Sequence, residues 1–345
     1  MRQRVALTIP RCVREPRRAR GAAMSQLGMV LHHGIEDGAQ LRGYGELTER
    51  LGYDSLWVTE RYFHEETAAL LGFLAAGTER TDLGVGVVNP YTRPPALLAM
   101  AAATLDRLSG GRLILGLGRS EREVIEGALG IPYGRPRERL REAVEAVRAL
   151  LSGETVEGVR LALRPSRERV PIYVAAIGPR ALRLAGAVAD GVVLNAYAPA
   201  AYVRRAVAEV RAAASDAGRD PDAVRIACML VVRLTDRPDD LLPQLRERLA
   251  SLLAEPHTGE VLLEWGGFDA SLPARLRETL ASAGPSEAAR LVDDALVEAL
   301  VLLGPAERCR ERIEEYHAAG VEEVLLLPRL PDFERVARAL APSGA

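Results

Sequence analysis

The sequence predicts an α/β protein whose strand–helix units close into a single (β/α)8 TIM barrel with insertions. Short apolar runs recur along the chain and alternate with helical segments, which is the order expected of a parallel α/β fold. The runs lack the polar alternation that marks a half-exposed sheet, so both faces of the sheet are expected to be covered. The count of units is eight, and 345 residues are enough for one barrel of this size.

The clearest unit lies between residues 83 and 121. An apolar, glycine-spaced strand over residues 83–88 breaks at Asn89, and two prolines then open a long helix rich in Ala, Leu and Met. That helix is expected to end at Gly110, where glycine can take the left-handed conformation that closes a helix. A second strand, over residues 113–117, follows directly. The pattern predicts a parallel βαβ unit, and ligands bind at the carboxyl ends of such strands.

The remaining units follow the same pattern along the chain. Predicted strands cover residues 27–31, 54–59, 172–176, 191–195, 225–233 and 321–327. Predicted helices cover residues 36–51, 67–77, 137–151, 199–217, 307–319 and 333–340, and a further helix begins at Pro179. Ser120 and Glu123 have the spacing of a capping box, which predicts a helix directly after the fourth strand.

Two segments do not fit the repeat. Residues 131–170 and 239–300 are too long for simple connections and are expected to be insertions near the mouth of the barrel. Within the first, weak alternation over residues 155–164 predicts a small hairpin. Residues 1–23 are rich in arginine, and their apolar stretch is too short for a signal peptide. We expect a disordered extension there, with Met24 as the true start; a transit peptide is the alternative.

Composition excludes several classes of protein. The formal net charge of −2 argues against nucleic acid and against an anionic membrane surface as partners. No apolar run is long enough to span a membrane. Cys12, Cys228 and Cys309 are far apart and form no paired motif, so neither a disulfide framework nor a metal site is predicted. A reducing cytoplasm fits this usage.

Two motifs carry a resemblance to a known family. GVGVVNPYTRPP, residues 84–95, and SGGRLILGLGRSE, residues 109–121, resemble the luciferase-like monooxygenase superfamily. Within it, the chain is most similar to the coenzyme F420-dependent oxidoreductases, the branch that includes methylenetetrahydromethanopterin reductase. The resemblance extends more weakly over about residues 26–195. It implies hydride transfer between the deazaflavin and a small organic substrate, in an enzyme expected to be a homodimer.

Two alternatives stay open at this point. The first is an FMN-dependent monooxygenase of the same superfamily, which would take reduced flavin from a partner reductase. The second is a flavin-binding barrel without chemistry, because a shared fold does not prove activity.

Two glycine-bearing turns are candidates for holding the coenzyme. Glycine lets the backbone approach a ligand closely, and a helix N-terminus offers free N–H groups to an anion. The resemblance assigns the coenzyme's phosphate tail to these turns, whereas the alternative is that barrel loops need glycine in any case. The residues concerned are Gly118, Arg119 and Ser120 after the fourth strand, and Ala175, Ala176, Gly178 and Pro179 after the fifth.

The third strand supplies a further part of the candidate coenzyme site. By resemblance, the Gly86–Val87 bond lies in a bulge and is a non-prolyl cis peptide that backs the deazaflavin ring, with Asn89 close by. The alternative is an ordinary buried strand with a trans bond at this position.

Glu60 and Arg61 follow the second strand and are catalytic candidates. Deazaflavin members usually carry Asp-His at this place, and many flavin members carry Glu-His-His, so Glu60 keeps the acid and also counts as coenzyme-binding. Arginine stays protonated at any working pH, so Arg61 suits the stabilisation of an anion and not proton transfer. The alternative is a rim arginine paired with Glu65 or Glu66.

Glu121 and His32 are the other catalytic candidates. Glu121 matches an acid that donates a proton in sugar-phosphate dehydrogenase relatives; the alternative is a first-turn carboxylate favoured by the helix dipole. His32 ends the first strand at the catalytic rim and is expected to face the substrate, against the alternative of a structural histidine.

Overall fold

The computed structural model describes residues 25–342 and confirms the (β/α)8 barrel. Eight parallel strands form a closed ring in the order β1, β2, β3, β4, β5, β6, β7, β9, with β9 paired back to β1. The strands of the described part are β1 Gln26–Leu31, β2 Ser55–Val58, β3 Asp82–Val88, β4 Leu113–Leu117, β5 Ile172–Ala175, β6 Gly191–Leu194, β7 Arg225–Leu234, β8 Leu302–Gly304 and β9 Glu323–Leu327.

The helices of the barrel units occur in the predicted order, with ends that differ from the predictions by a few residues, and five more helices lie in the predicted insertion over residues 239–300. They are α1 Gly38–Arg50, α2 Thr67–Gly77, α3 Pro95–Leu108, α4 Pro136–Ser152, α5 Pro179–Val188, α6 Ala200–Asp216, α7 Leu242–Leu253, α8 Thr258–Gly266, α9 Leu272–Ser282, α10 Pro285–Ala289, α11 Asp294–Leu300, α12 Ala306–Ala318 and α13 Phe333–Ala339. Short 3-10 turns cover Pro221–Ala223, Pro238–Leu241 and Leu330–Asp332.

The end of α3 shows how local sequence fixes an element. Gly110 and Gly111 both have positive φ angles, of 65° and 85°, which glycine adopts at little cost. The Gly111 amide donates to the Asp106 carbonyl oxygen at 2.7 Å, so the last turn is closed as the glycine pair predicts. Strand β4 then begins two residues later.

The capping box predicted after β4 is wrong. Ser120 has a φ of 60°, and its hydroxyl group bonds to the Tyr62 hydroxyl, not to a backbone amide of the next helix. The Tyr133 hydroxyl donates to the Ser120 carbonyl oxygen at 2.8 Å, which fixes the turn from the other side. The element that follows is one π-helical turn, Glu123–Ala128, without a side-chain cap. Tertiary contacts therefore overrode the local signal.

The interior of the barrel is filled by side chains from alternate strand positions. Val30, Trp57, Tyr173, Met229 and Leu325 pack there as one cluster and are all buried. Trp57 is therefore a packing residue of the barrel interior. Its ring needs a glycine on the neighbouring strand, because a Cβ atom at Gly84 would lie 2.2 Å from it.

The two segments that interrupt the repeat differ in what they build. Residues 155–164 form only an isolated bridge between Val156 and Val159, so a hairpin of the predicted length is wrong. Helices α7–α11 have their own core, in which Leu249, Leu253 and Leu276 are fully buried. Val231 of β7 belongs to that core, so the α7–α11 layer packs on the carboxyl end of the barrel.

Strand β8 is an addition that the sequence did not reveal. Its three residues pair in parallel with the last residues of β7, beyond the part of β7 that closes the ring. Three residues are too few for a periodic pattern.

Several predictions concern residues or properties outside the barrel itself. The extension over residues 1–23, with Cys12, lies outside the described residues. Between residues 25 and 342, no helix has the length and apolar character needed to cross a bilayer. The same part of the chain contains no group of His, Cys, Asp and Glu arranged to hold a metal ion.

Candidate active site

The loops after β2, β3 and β4 are joined by hydrogen bonds between side chains at the mouth of the barrel. The Asn89 side-chain amide donates to the Tyr62 hydroxyl at 2.7 Å, and that hydroxyl bonds to the Ser120 hydroxyl. Asn89 also accepts from the backbone amides of Tyr91 and Thr92, both at 3.0 Å. Asn89 and Ser120, predicted after β3 and β4, are therefore joined through Tyr62, a residue after β2 that was not predicted.

Glu60 is engaged in this structure and is not a free acid. Both of its carboxylate oxygens accept from the Arg93 guanidinium, and the Thr67 hydroxyl donates to it at 2.7 Å. Arg93 belongs to the NPYTR turn and also pairs with Glu66. The ion pair therefore holds the β3–α3 turn against the end of β2. Sequence reasoning missed the role of Arg93, since 33 residues separate it from Glu60.

Arg61 lacks the carboxylate partners suggested for it. Glu66 is paired with Arg93, and Glu65 accepts from the backbone amides of Gly34 and Ile35. Within residues 25–342, Arg61 makes no ion pair, and its side chain is exposed. A rim cavity of ≈ 300 Å³ lies beside it, lined also by the exposed ring of Phe63.

His32 lies inside the mouth and has a defined orientation. Its Nδ1 atom is 2.7 Å from the Thr59 hydroxyl oxygen, and the ring is half-buried. Burial, reinforced by His33, Arg61 and further cationic neighbours, lowers the pKa of His32 to about 4. The imidazole is therefore neutral at neutral pH, with Nδ1 engaged and Nε2 left for another partner.

The other two histidines of this region stack beside His32. The ring centroid of His33 is 4.1 Å from that of His32 and 4.4 Å from that of His64. Burial, followed by repulsion from Arg61 and His64, lowers the pKa of His33 as well. His64, which gave no clear signal in the sequence, joins the group only through the fold of the β2–α2 loop.

The Gly86–Val87 peptide bond is cis, as predicted. The pairing of β3 with β4 shifts between Val85 and Val88, so the predicted bulge is confirmed too. Gly86 and Val87 are half-buried, whereas residues 83–85 before them and Val88 after them are buried. They form a partly open wall on the interior side of the mouth.

The two glycine turns prove to be different. A Cβ atom at Gly118 would lie 2.5 Å from Cγ2 of Val87, so that glycine is needed for packing against the bulge. A Cβ atom at Gly178 would meet no described atom within 4 Å. Gly178 also has an extended φ of −85° that other residues adopt, and it immediately precedes the ten-residue helix α5.

The remaining predicted residues flank these turns. Ala175 is half-buried and Ala176 is buried, whereas Pro179 begins α5. Arg119 and Glu121 are exposed next to Ser120. The turn after β4 lacks the helix N-terminus predicted for it, because the next helical turn begins only at Glu123.

Three further charged residues at the mouth were not singled out from the sequence. They are Arg233 at the end of β7, Arg248 on α7 and Glu255 after α7. Arg248 contributes to lowering the pKa of His32, which places the α7–α11 layer within electrostatic range of the mouth. A larger groove, of ≈ 520 Å³, lies on the outer face between α4, α5 and α6, away from the strand ends.

Known proteins resemble this chain over most of its length. A family model for luciferase-like monooxygenases matches residues 20–323. The chain is 32% identical over 292 residues to a 5,10-methylenetetrahydromethanopterin reductase of Methanolobus tindarius, covering 82% of this chain and 88% of that protein. It is 33% identical over 304 residues to a phthiodiolone/phenolphthiodiolone dimycocerosates ketoreductase of Mycobacterium tuberculosis, covering 81% and 78%.

Solved structures agree with these relatives. The coenzyme F420-dependent tetrahydromethanopterin reductase of Methanopyrus kandleri superposes with a TM-score of 0.76 at 26% identity, covering 92% of this chain and 98% of that chain. The monooxygenase RslO1 of Streptomyces bottropensis superposes with a TM-score of 0.67 at 25% identity, covering 92% and 97%. The resemblance inferred from the two motifs is therefore confirmed, and the chain belongs to the luciferase-like monooxygenase family of enzymes.

Proposed function

We propose that the enzyme transfers a hydride between coenzyme F420 and a small organic substrate. The observation that carries this proposal is the likeness to the F420-dependent reductase of Methanopyrus kandleri, which extends over nearly the whole barrel. The mouth supports it, because the cis bond and the open turn at Gly178 stand where the resemblance assigns the ring and the phosphate tail.

The residues present fit such a coenzyme. Empty space beside Gly178 lets a ligand approach the backbone N–H groups of Gly178 and Arg180 at the start of α5, where an anion is favoured. On the other side, Gly86 and Val87 offer a partly open wall. We assign coenzyme binding to Gly86, Val87, Asn89, Gly118, Arg119, Ser120, Ala175, Ala176, Gly178 and Pro179.

The chain's own side chains would then control charge and protons. When bound, the deazaflavin supplies the hydride chemistry. His32, kept neutral and fixed through Nδ1 by Thr59, presents Nε2 as the atom that exchanges a proton with the substrate. Glu60 holds the Arg93 turn in place, and Arg61 contributes a permanent positive charge. Glu121 is exposed at the rim and remains a second candidate for the proton donor.

A parallel titration of the purified protein with oxidised F420 and with FMN tests this function. We expect F420 to bind clearly more tightly than FMN. Equal affinity, or a preference for FMN, would refute the proposal.

The second candidate is an FMN-dependent monooxygenase supplied with reduced flavin by a partner reductase. The likeness to RslO1, at 25% identity, is the observation that favours it. Binding of FMN, with oxygen consumption on addition of a flavin reductase, would establish this alternative. Binding of either coenzyme without turnover of any acceptor would indicate a flavin-binding barrel without catalytic activity.

We further propose that residues 24–345 act as one barrel domain and that two copies form a homodimer in the cytoplasm. Leu97, Met100 and Leu108 of α3 support the dimer, because these large apolar side chains are 48%, 46% and 60% exposed. The free, buried cysteines Cys228 and Cys309 suit a reducing compartment. Light scattering of wild-type protein and of Leu108→Arg should give a dimer and a monomer, respectively.

A further inference from the structure

Arg233 is a charged residue in an unusual place. Alternate residues of β7, Ala227 and Met229, lie in the barrel interior, and Val231 continues this row toward the mouth. Arg233 is the next residue in the row and is half-buried. Its side chain therefore belongs to the interior rim and not to the outer surface.

The guanidinium of Arg233 has no carboxylate partner within residues 25–342. Its Nη1 atom donates to the Val232 carbonyl oxygen at 2.8 Å, which leaves most of its donors unused. Asp332, a carboxylate that acts on Arg233 electrostatically, accepts instead from Arg329 at 2.8 Å and from Arg335 at 3.0 Å. A partly desolvated cation without a partner is costly, so such a residue usually serves a ligand.

A second arginine approaches the same place from the α7–α11 layer. Arg248 of α7 lies within electrostatic range of both Arg233 and His32. It is exposed and makes no ion pair within the described part of the chain. Two guanidinium groups from different elements, neither in an ion pair among the described residues, thus lie within electrostatic range of each other, and Arg248 also acts on His32.

Carboxylates also lie at the mouth, and Arg248 is within electrostatic range of one of them, Glu255. Burial raises the pKa of Glu255, and repulsion from Glu121 and Glu123 adds to this effect. These three carboxylates therefore lie close enough together to influence one another. A negatively charged group entering the mouth is repelled by these carboxylates and attracted toward Arg233.

We propose that Arg233 and Arg248 bind an oxyanion, the carboxylate or phosphate group of the small-molecule substrate. Guanidinium groups match the geometry of both anions through paired N–H donors. The assignment of this anion to the substrate rests on the proposed function, which places the substrate at the mouth of the barrel. It names the class of substrate that the mouth accepts.

Calorimetric titration of the coenzyme-free protein with inorganic phosphate, at low ionic strength, tests the site directly. We expect binding that is weakened by a factor of about 10 or more in Arg233→Met and about threefold in Arg248→Met. Arg225→Met is the matched control, because Arg225 lies at the opposite end of the same strand and pairs with Glu322. It should bind phosphate like the wild type.

Unchanged phosphate affinity in Arg233→Met and Arg248→Met would overturn the proposal. Arg248 is exposed on a helix, so its variant should fold even if Arg233→Met does not. Repeating the titration with F420 at saturation separates the two sites: phosphate should still bind, and its displacement by F420 would assign the arginines to the coenzyme instead. If F420 does not bind at all while the arginine-dependent phosphate site persists, the proposed function fails and the oxyanion site stands.

Discussion

Glu323 at the amino-terminal end of the barrel and two arginines at the carboxyl end differ in whether the fold gives them partners. At the amino-terminal end, Glu323 is buried, accepts a hydrogen bond from Ser55, and is surrounded by packed side chains; the Trp57 indole donates to the same Ser55 hydroxyl at 2.8 Å. At the carboxyl end, Arg61 and Arg233 have no ion-pair partner among the described residues.

This difference indicates that the paired groups contribute to stability, whereas the unpaired charges are available for binding. Buried polar groups that form hydrogen bonds with each other contribute to a unique fold. Removing one partner destabilises the protein, because the other group stays buried without a hydrogen bond. Charged groups left without partners stabilise nothing by themselves but are available to a ligand. Substitution of a buried, paired group at the amino-terminal end should therefore change the free energy of unfolding, whereas substitution of an unpaired charged group at the mouth should change affinity or rate.

Glu323 provides the test with the largest expected effect. Burial raises the pKa of Glu323 to about 7, while the hydrogen bond from Ser55 opposes this increase. Between pH 4.5 and 7 the folded state therefore keeps a proton that the unfolded state loses, so stability should fall as the pH rises through this window. The loss should be about 3 kcal/mol, and it should be complete above pH 7.

Chemical denaturation of the wild type and of Glu323→Gln across pH 4–8 measures this pH-dependent contribution to the free energy of unfolding. The difference in stability between wild type and variant should follow the predicted slope, because glutamine does not titrate. If the difference in unfolding free energy does not change with pH, Glu323 is not a buried acid that keeps its proton in the folded state. Affinity for F420 should be the same in both proteins.

Gly178 provides the corresponding test at the mouth. Gly178→Val should weaken F420 binding by about 10- to 100-fold, because the new side chain occupies the space left for the ligand. The same variant should change the free energy of unfolding by no more than about 0.5 kcal/mol, since no protein atom is displaced. Fluorescence titration and thermal melting measure the two effects.

Gly118→Val is the matched control for Gly178→Val. Its side chain would press on Val87, so the expected cost in stability is about 1–3 kcal/mol. Loss of affinity in this variant would not identify a ligand contact, because the wall of the site moves as well. Equal behaviour of the two variants would remove the distinction between the turns.

Thr59 tests whether orientation matters at the mouth. Thr59→Val removes the hydrogen-bond partner of His32 Nδ1, so kcat should fall by about 10-fold while the Kd of F420 stays unchanged. Thr59→Ser keeps the hydroxyl group and should restore the rate. A loss of rate that serine does not rescue would mean that the threonine methyl group, and not the hydrogen bond, is important.

Arg61 has the smallest expected effect, because its side chain is exposed. Arg61→Met should weaken binding of reduced F420 by about fivefold, equivalent to about 1 kcal/mol, and leave binding of oxidised F420 nearly unchanged. The reason is that reduction makes the ring anionic, so a permanent cation favours the reduced form. Parallel titrations of the two forms measure this, and equal effects on both would exclude a redox-specific role.

The sequence by itself determined the barrel and much of its mouth. Apolar runs and glycines that end a helix are local signals. Strands such as β3 and β4 and the end of α3 were therefore predicted where they occur. The NPYTR and GLG motifs identified the family and the cis bond at Gly86. Fixed strand ends also placed His32, Glu60 and Gly178 at one rim.

Tertiary structure alone decided what those residues do. Ser120 does not cap a helix, because its hydroxyl group is hydrogen-bonded to the hydroxyl group of Tyr62, 58 residues away. Glu60 is bound by Arg93, and Arg233 stands unpaired because Asp332 is held by its neighbours. Whether a charge is satisfied depends on which groups the fold brings within a few ångströms, and those groups are distant in sequence. Short-range patterns therefore fix the elements, whereas pairing and burial, which set a residue's chemistry, exist only after folding.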